Sequence, residues 1–367
     1  NMRLFAISDI HTDYKENLEW IQEHARSRTN GTSSQPRNPS LQDETVLLVA
    51  GDVCDDVVQF RKTFEALTGA YDHVFWVCGN HELWIRRGDR AKYGDGSLGK
   101  LAHLKSIADE LGVKYRPERI GDVWVVPLWS WYHASWDTEP DVVGAIPIEK
   151  VMMDFHACHW TAEGVQAGGD DSLARMFDEM NSESPEYVEA VARIREDRLG
   201  DSGVYVVSFS HFLPHQDLLP EKRFLYYPNL AKAVGSDYLG RRVFEEIRPD
   251  AHVYGHTHFT QDMMKEGIRF VQWPLGYPKE QRRRRNGGDG WGPLLLWDKA
   301  SGSSEARSTY WSDYYRSNAR RAHDTSPAPY VVRRRSSDAG GGGGGVGKAA
   351  ARVATSNVTA RFGALGV

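Results

Sequence analysis

Short apolar runs that end in small polar clusters alternate with stretches carrying an apolar residue every third or fourth position. Arg3 to Ser8 reads as a buried strand ending at Asp9-Ile10-His11, after which Tyr14, Leu18, Ile21 and Ala25 share one helical face. Asp13 is placed to cap that helix, with Glu16 at the capping-box position. Beyond a loop over 29–42, rich in Gly, Ser, Asn and Pro, Thr45 to Ala50 repeats the strand pattern up to Gly51-Asp52. Val57, Phe60, Phe64 and Leu67 repeat the helical one, and the run His73 to Cys78 ends at Gly79-Asn80-His81-Glu82. Strand–helix–strand–helix–strand order predicts an α/β sheet with parallel neighbours.

The pattern then loosens. Ser97 is placed to cap a helix through Leu101, Leu104, Ala108 and Leu111, stopped by Gly112, and Val113 to Tyr115 and Val123 to Leu128 read as strands in hairpin-like order. Residues 135–200 are more polar, hold one clear helix starting at Ser184-Pro185, and read as an insertion over or beside the site; a surface excursion without a role in chemistry fits equally. Val204 to Ser208, Ala251 to Tyr254, Ile268 to Trp273 and Pro293 to Trp297 carry further strands, and Leu239, Val243 and Ile247 a helix. From about Ser301 the pattern decays. The stretch 301–367, with Arg333 to Arg335 and six consecutive glycines from Gly340, is expected to be a disordered tail after a catalytic body over 1–300.

Composition narrows the function classes. The formal net charge of −5 over 367 residues does not favour nucleic-acid binding, and no run of 18 apolar residues predicts a membrane span. Three cysteines, Cys54, Cys78 and Cys158, with no Cys-x-x-Cys spacing, argue against a disulfide framework or thiolate zinc site and favour a reducing, cytoplasmic setting. Asn1 ahead of Met2 leaves room for a trimmed leader. Arg282 to Arg285 reads as a basic surface loop, and isolated histidines such as His24, His73, His133, His215 and His252 as solvated or hydrogen-bonded side chains.

Candidate chemistry collects at strand ends: Asp9 with His11, Asp52, Asn80 with His81, His211, and His256 with His258. Ligands in open α/β sheets bind beyond the carboxyl ends of strands, so elements far apart in sequence can converge there. Asp-x-His and His-x-His place two ligand atoms on one chain leaving a strand.

These blocks, Asp9-x-His11, Gly51-Asp52, Gly79-Asn80-His81-Glu82, His211 and Gly255-His256-x-His258, resemble in order the five signature blocks of the calcineurin-like metallophosphoesterases. The resemblance implies two stacked mixed β-sheets flanked by helices, a four-layer α/β/β/α sandwich, with two metal ions between the sheet ends. It implies Asp9, His11 and His258 on one ion, Asn80, His211 and His256 on the other, and Asp52 bridging. Such ions, about 3.5–4 Å apart, share a water, lower its pKa and present hydroxide for in-line attack on phosphorus. Oxygen and imidazole ligands without cysteine suit Mn, Fe or Zn. His81 is then the general acid or transition-state stabiliser, Asp13 and Glu82 are candidates for orienting histidines, and Arg86 and Arg87 are candidates for clamping a phosphate. Neither the protein Ser/Thr phosphatase block Gly-Asp-Tyr-Val-Asp-Arg-Gly nor its Arg before Gly-Asn-His-Glu is present here. The expected substrate is a small phosphomonoester, phosphodiester or pyrophosphate; a non-catalytic scaffold on the same fold is the alternative, with protein partners unknown.

Overall fold

The computed structural model describes residues 2–31, 44–89, 91–161, 170–200, 203–284 and 291–331. In chain order the elements are β1 (Met2–Ile7), α1 (Lys15–Thr29), β2 (Glu44–Ala50), α2 (Val57–Ala70), β3 (His73–Val77), α3 (Gly96–Leu111), β4 (Glu118–Ile120) and β5 (Val123–Pro127). There follow α4 (Asp154–Ala157), α5 (Ser172–Ser182), α6 (Pro185–Leu199), β6 (Tyr205–Phe209), and α7 (Asp237–Arg241), which continues as a π-helical stretch to Ile247. The remainder is β7 (Ala251–Tyr254), β8 (Gln261–Lys265), β9 (Ile268–Gln272), α8 (Pro278–Arg284), β10 (Leu294–Asp298), β11 (Gly302–Ser303) and α9 (Tyr310–Ser317).

The strands form two mixed sheets, ordered β11-β10-β1-β2-β3 and β4-β5-β6-β7-β9-β8. β1, β2 and β3 pair in parallel, as do β5, β6, β7 and β9, while β10, β11, β4 and β8 add antiparallel margins. Side chains alternate across each strand, so each sheet buries both faces. Leu4, Ala6, Val46, Leu48, Val207 and Val253 join one core cluster, whereas Phe5, Ile7, Leu47, Val49 and Trp76 join a second with residues of α1, α2 and α3. Two stacked sheets with helices outside satisfy that pattern.

Several local expectations are corrected. Asp13 does not cap α1; its carboxylate accepts from Asp55 N at 2.9 Å, and Tyr14 stands at the cap without a side-chain bond. Val113 to Tyr115 is a single bridge of Lys114 to Phe75, and the strand paired with β5 is β4. The 135–200 stretch holds α5 and α6, and the basic run after Tyr277 begins within helix α8.

The expected end of the folded body near 301 is also too early. Trp311 of α9 is buried against Phe224 and Phe259, Arg320 bonds Glu139 at 2.9 Å, and Ala328 and Val331 are buried. The decaying apolar pattern concealed this because a few large aromatics and ion pairs, rather than a periodic stripe, hold the segment down. The rest of the expected tail, with its basic and glycine-rich runs, lies outside the described residues. Among the described residues no helix is long and apolar enough to cross a membrane.

Candidate metal centre

Seven side chains expected at the site converge from the ends of β1, β2, β3, β6 and β7. Asp9, His11, Asp52 and His258 bring ligand atoms within 4.8 Å of one another, and so do Asp52, His211 and His256; all are buried or nearly so. Asp52 belongs to both groups. Asn80 lies between His211 and His256, its Oδ1 at 3.1 Å from His211 Nε2 and 3.0 Å from His256 Nδ1.

The backbone bends hard to achieve this. Asp9, His11, Asp52, His256 and His258 all have φ between 48° and 76°, the left-handed region that non-glycine residues rarely occupy. Two glycines make room: a Cβ on Gly51 would lie 2.5 Å from the His211 ring, and one on Gly79 would lie 2.1 Å from Asp52 Oδ1. Glu82 ties these turns together, accepting from Val53 N at 2.7 Å, Gly79 N at 2.8 Å and Asp52 N at 3.1 Å. Its partners are backbone amides, so it orients loops rather than a histidine, and burial beside Asp52 raises its carboxyl to about 7.

The outer hydrogen bonds fix which ring nitrogen faces inward. His211 Nδ1 lies 2.9 Å from the Ala50 carbonyl and His256 Nε2 2.8 Å from the Ala233 carbonyl, so in each neutral ring that nitrogen donates and the other presents a lone pair. Asn80 Nδ2 donates to Asp154 Oδ1 at 2.9 Å, which turns its carbonyl oxygen inward. His258 Nδ1 meets Glu280 Oε2 at 2.8 Å, leaving Nε2 facing His11 Nε2 at 2.9 Å. His11 Nδ1 is buried without a partner.

Acceptor atoms thus aim at one another, an arrangement that repels unless positive charge sits among them. The same field acts on protons. Burial opposes charge, yet Asp52 and Asp9 raise His211 to about 9, and Glu280 and Asp9 raise His258 to about 10. Asp52 is likewise buried, but His211, His81 and His11 hold it well below the usual carboxylate range. His256, buried and facing His211, falls to about 3. A cluster of carboxylate, amide and imidazole ligands with no thiol fits a pair of metal cations.

His81 lies beside this cluster, stacked on Trp84 with ring centroids 3.7 Å apart, its Nε2 at 3.7 Å from Asp52 Oδ2 and 3.4 Å from Tyr277 Oη. A cavity of about 30 Å³ is lined by Asp52, Asn80, His81, Trp84, His256, His258 and Tyr277, and by Val151, Met152 and Met153 of the expected insertion. Part of that insertion therefore lines the cavity beside the site.

A family model for calcineurin-like phosphoesterases matches residues 2–259. The chain belongs to the calcineurin-like phosphoesterase family. It is a metal-dependent phosphohydrolase of that family, and two mixed sheets flanked by helices are its fold. The phosphoesterase is similar to acyl-carrier-protein phosphodiesterase PptH of Mycobacterium tuberculosis, 28% identical over 308 residues, or 77% of this chain and 80% of the relative. The crystal structure of phosphopantetheinyl hydrolase PptH from that organism matches its fold with a TM-score of 0.56 at 23% identity, covering 83% of this chain and 99% of the other. PptH is not named as a protein Ser/Thr phosphatase. The scaffold alternative is not favoured, since it predicts decay of ligand positions that are here intact and assembled.

One further expectation is revised in the phosphoesterase. Arg86 is not among the residues lining the cavity; it pairs with Asp55, and with Asp56 at 3.0 Å. The side chain of Arg87 lies outside the described residues. Glu280 and Asp154 were missed. Each reaches its ligand across 22 and 74 residues respectively, and neither sits in a block whose spacing announces a ligand.

Proposed function

We propose that this phosphoesterase cleaves a phosphodiester with two metal ions, and that its substrate is a carrier protein bearing phosphopantetheine. Asp9, His11 and His258 hold one ion, Asn80, His211 and His256 the other, and Asp52 both; Mn, Fe and Zn all match the donor set. The observation that carries the reading is the convergence of these seven side chains with their lone pairs aimed inward. The named activity of PptH supplies the substrate class. The catalytic body extends from β1 through α9, and the 135–200 stretch contributes its cover.

The lining favours a diester over a monoester. Among the described residues no lysine or arginine lines the cavity, while Trp84, Val151, Met152, Met153 and Tyr277 do. A dianionic monoester calls for such cations, whereas a diester carries one negative charge and an apolar flank suits a long neutral arm. When bound, two such ions supply a water of lowered pKa and positive charge against the phosphoryl oxygens. His81, held flat on Trp84, offers a ring N–H to the departing oxygen. Intact-mass analysis of a phosphopantetheinylated carrier protein, incubated with metal-loaded enzyme, tests the proposal. Release of phosphopantetheine, lost in Asp52→Asn, is the expected result. An enzyme that binds two metal ions yet leaves this substrate whole, while cleaving an aryl phosphomonoester, overturns it.

A further inference from the structure

Asp154 is buried at the N-terminus of α4, directly after the residues that cover the cavity, and it makes three side-chain contacts. Its Oδ1 accepts from Asn80 Nδ2 at 2.9 Å and from Trp84 Nε1 at 2.7 Å, and its Oδ2 accepts from Tyr132 Oη at 3.0 Å. An asparagine amide can lie either way round, and the two orientations present opposite chemistry to a cation: an acceptor oxygen or a donor N–H. With both rings neutral, as metal binding requires, His211 and His256 present lone pairs to either one. The contact with Asp154 then turns the amide nitrogen outward and the oxygen toward them. The same oxygen positions the indole on which His81 rests.

We infer that Asp154 is a positioning residue: it fixes the amide orientation of Asn80 for the metal ion held with His211 and His256, and so fastens the segment covering the site to the site itself. The inference rests on the ligand set proposed above. It makes the 148–157 segment a working part of the centre, since Val151, Met152 and Met153 line the cavity and the next residue grips a ligand. Any movement of these residues on substrate binding pulls on the group that orients Asn80.

Hydrogen-bond geometry, not charge, is the active ingredient, and this separates two variants. Asp154→Asn keeps an Oδ1 for Asn80 and Trp84, and its Nδ2 can donate to Tyr132 Oη. Asp154→Leu keeps the volume and removes every acceptor. Metal-stripped protein is titrated with Mn²⁺ by calorimetry, with folding checked by circular dichroism. Wild type binds two ions; Asp154→Leu weakens one of them by about 10- to 100-fold and leaves the other within about threefold, and Asp154→Asn stays within about threefold at both. Asn80→Ala weakens the same ion, and Asp154→Leu adds little on top of it, as expected of two residues acting through one contact. If Asp154→Leu does not fold, Asp154→Ala takes its place with the same expectations. Wild-type affinity at both ions in the Leu variant, or an equal loss in the Asn variant, overturns the inference. A wild type that does not bind two ions overturns the ligand set instead.

Discussion

The two halves of the proposed metal centre use similar side chains but are braced by different chemistry. Asp9, His11 and His258 are backed by a carboxylate, since Glu280 receives His258 Nδ1, and by Ser8, whose hydroxyl donates to Asp9 at 2.5 Å. His211 and His256 are backed by the neutral carbonyls of Ala50 and Ala233. His258 is therefore raised to about 10, whereas His256, with no carboxylate on its outer nitrogen, falls to about 3. The lesson is that the carboxylates around a ring, on either side of it, set whether a histidine must shed a proton before it can bind metal: His211, whose outer partner is a neutral carbonyl, is still raised against its burial to about 9 by Asp52 and Asp9. In each half one ring, His258 or His211, would exchange a proton for a metal ion, whereas His256 is already neutral.

The shared residue gives the largest expected effect. Asp52 alone belongs to both halves, and it also accepts from His81 N at 3.0 Å. Asp52→Asn is expected to lower turnover by more than about 100-fold, beyond the 10- to 100-fold typical of an outer partner, and elemental analysis is expected to find fewer than two metal ions per chain. Glu280→Gln affects one half only. It should weaken one ion about 10- to 100-fold and change its pH dependence. In wild type, affinity for that ion rises with pH up to about 10, because His258 is protonated below that value and must lose the proton. With Glu280 neutral the ring deprotonates at lower pH, so fewer protons are released at pH 8; calorimetry in buffers of different ionisation enthalpy counts them.

A histidine that faces no metal ligand sharpens the contrast. His252 is four residues before His256, fully buried, and bonded to Ser208 Oγ at 2.8 Å and Ser210 Oγ at 3.0 Å. Burial alone pushes it to about 3. The unfolded chain takes up this proton near the ordinary histidine pKa and the folded one does not, so stability is full above that value and falls as pH drops towards about 3. Between pH 8 and pH 5 the loss from this one ring is about 2 kcal/mol. Urea denaturation of metal-free protein checks it: His252→Gln should be less stable at pH 8 by about 1 kcal/mol and show a correspondingly smaller drop at pH 5. An unchanged drop would place the acid sensitivity elsewhere.

What the sequence revealed follows the same division. All seven positions and His81 stand at strand ends, several of them beside Gly51, Gly79 or Gly255, where apolar runs and local spacing mark them, and the structure gathers all of them. The partners on the far side of the rings were not legible. Ala50 and Ala233 contribute through main-chain carbonyls, which any residue carries. Glu280 and Asp154 lie in short helices on segments that read as a basic loop and a polar insertion. Fold class was legible because β1 to β3 and their helices are strictly periodic; α9 was not, because Trp311 and Tyr315 pack without a repeating stripe.

The smallest effect belongs to Arg86, and it tests whether the site draws its positive charge from ions alone. The side chain is half exposed and faces Asp55 and Asp56, both on the loop leading into α2. Exposed pairs of this kind contribute about 0–1 kcal/mol, so Arg86→Ala should cost little stability. If no cation lines the cavity, the Michaelis constant for a phosphodiester should shift by less than about threefold, under 1 kcal/mol of binding. A loss of more than tenfold, confined to the Michaelis constant and suppressed by salt, would mean that Arg86 leaves its carboxylates and turns to the substrate. The anion would then be gripped by a protein cation as well as by the metal centre, and the diester preference inferred from the bare lining would weaken with it.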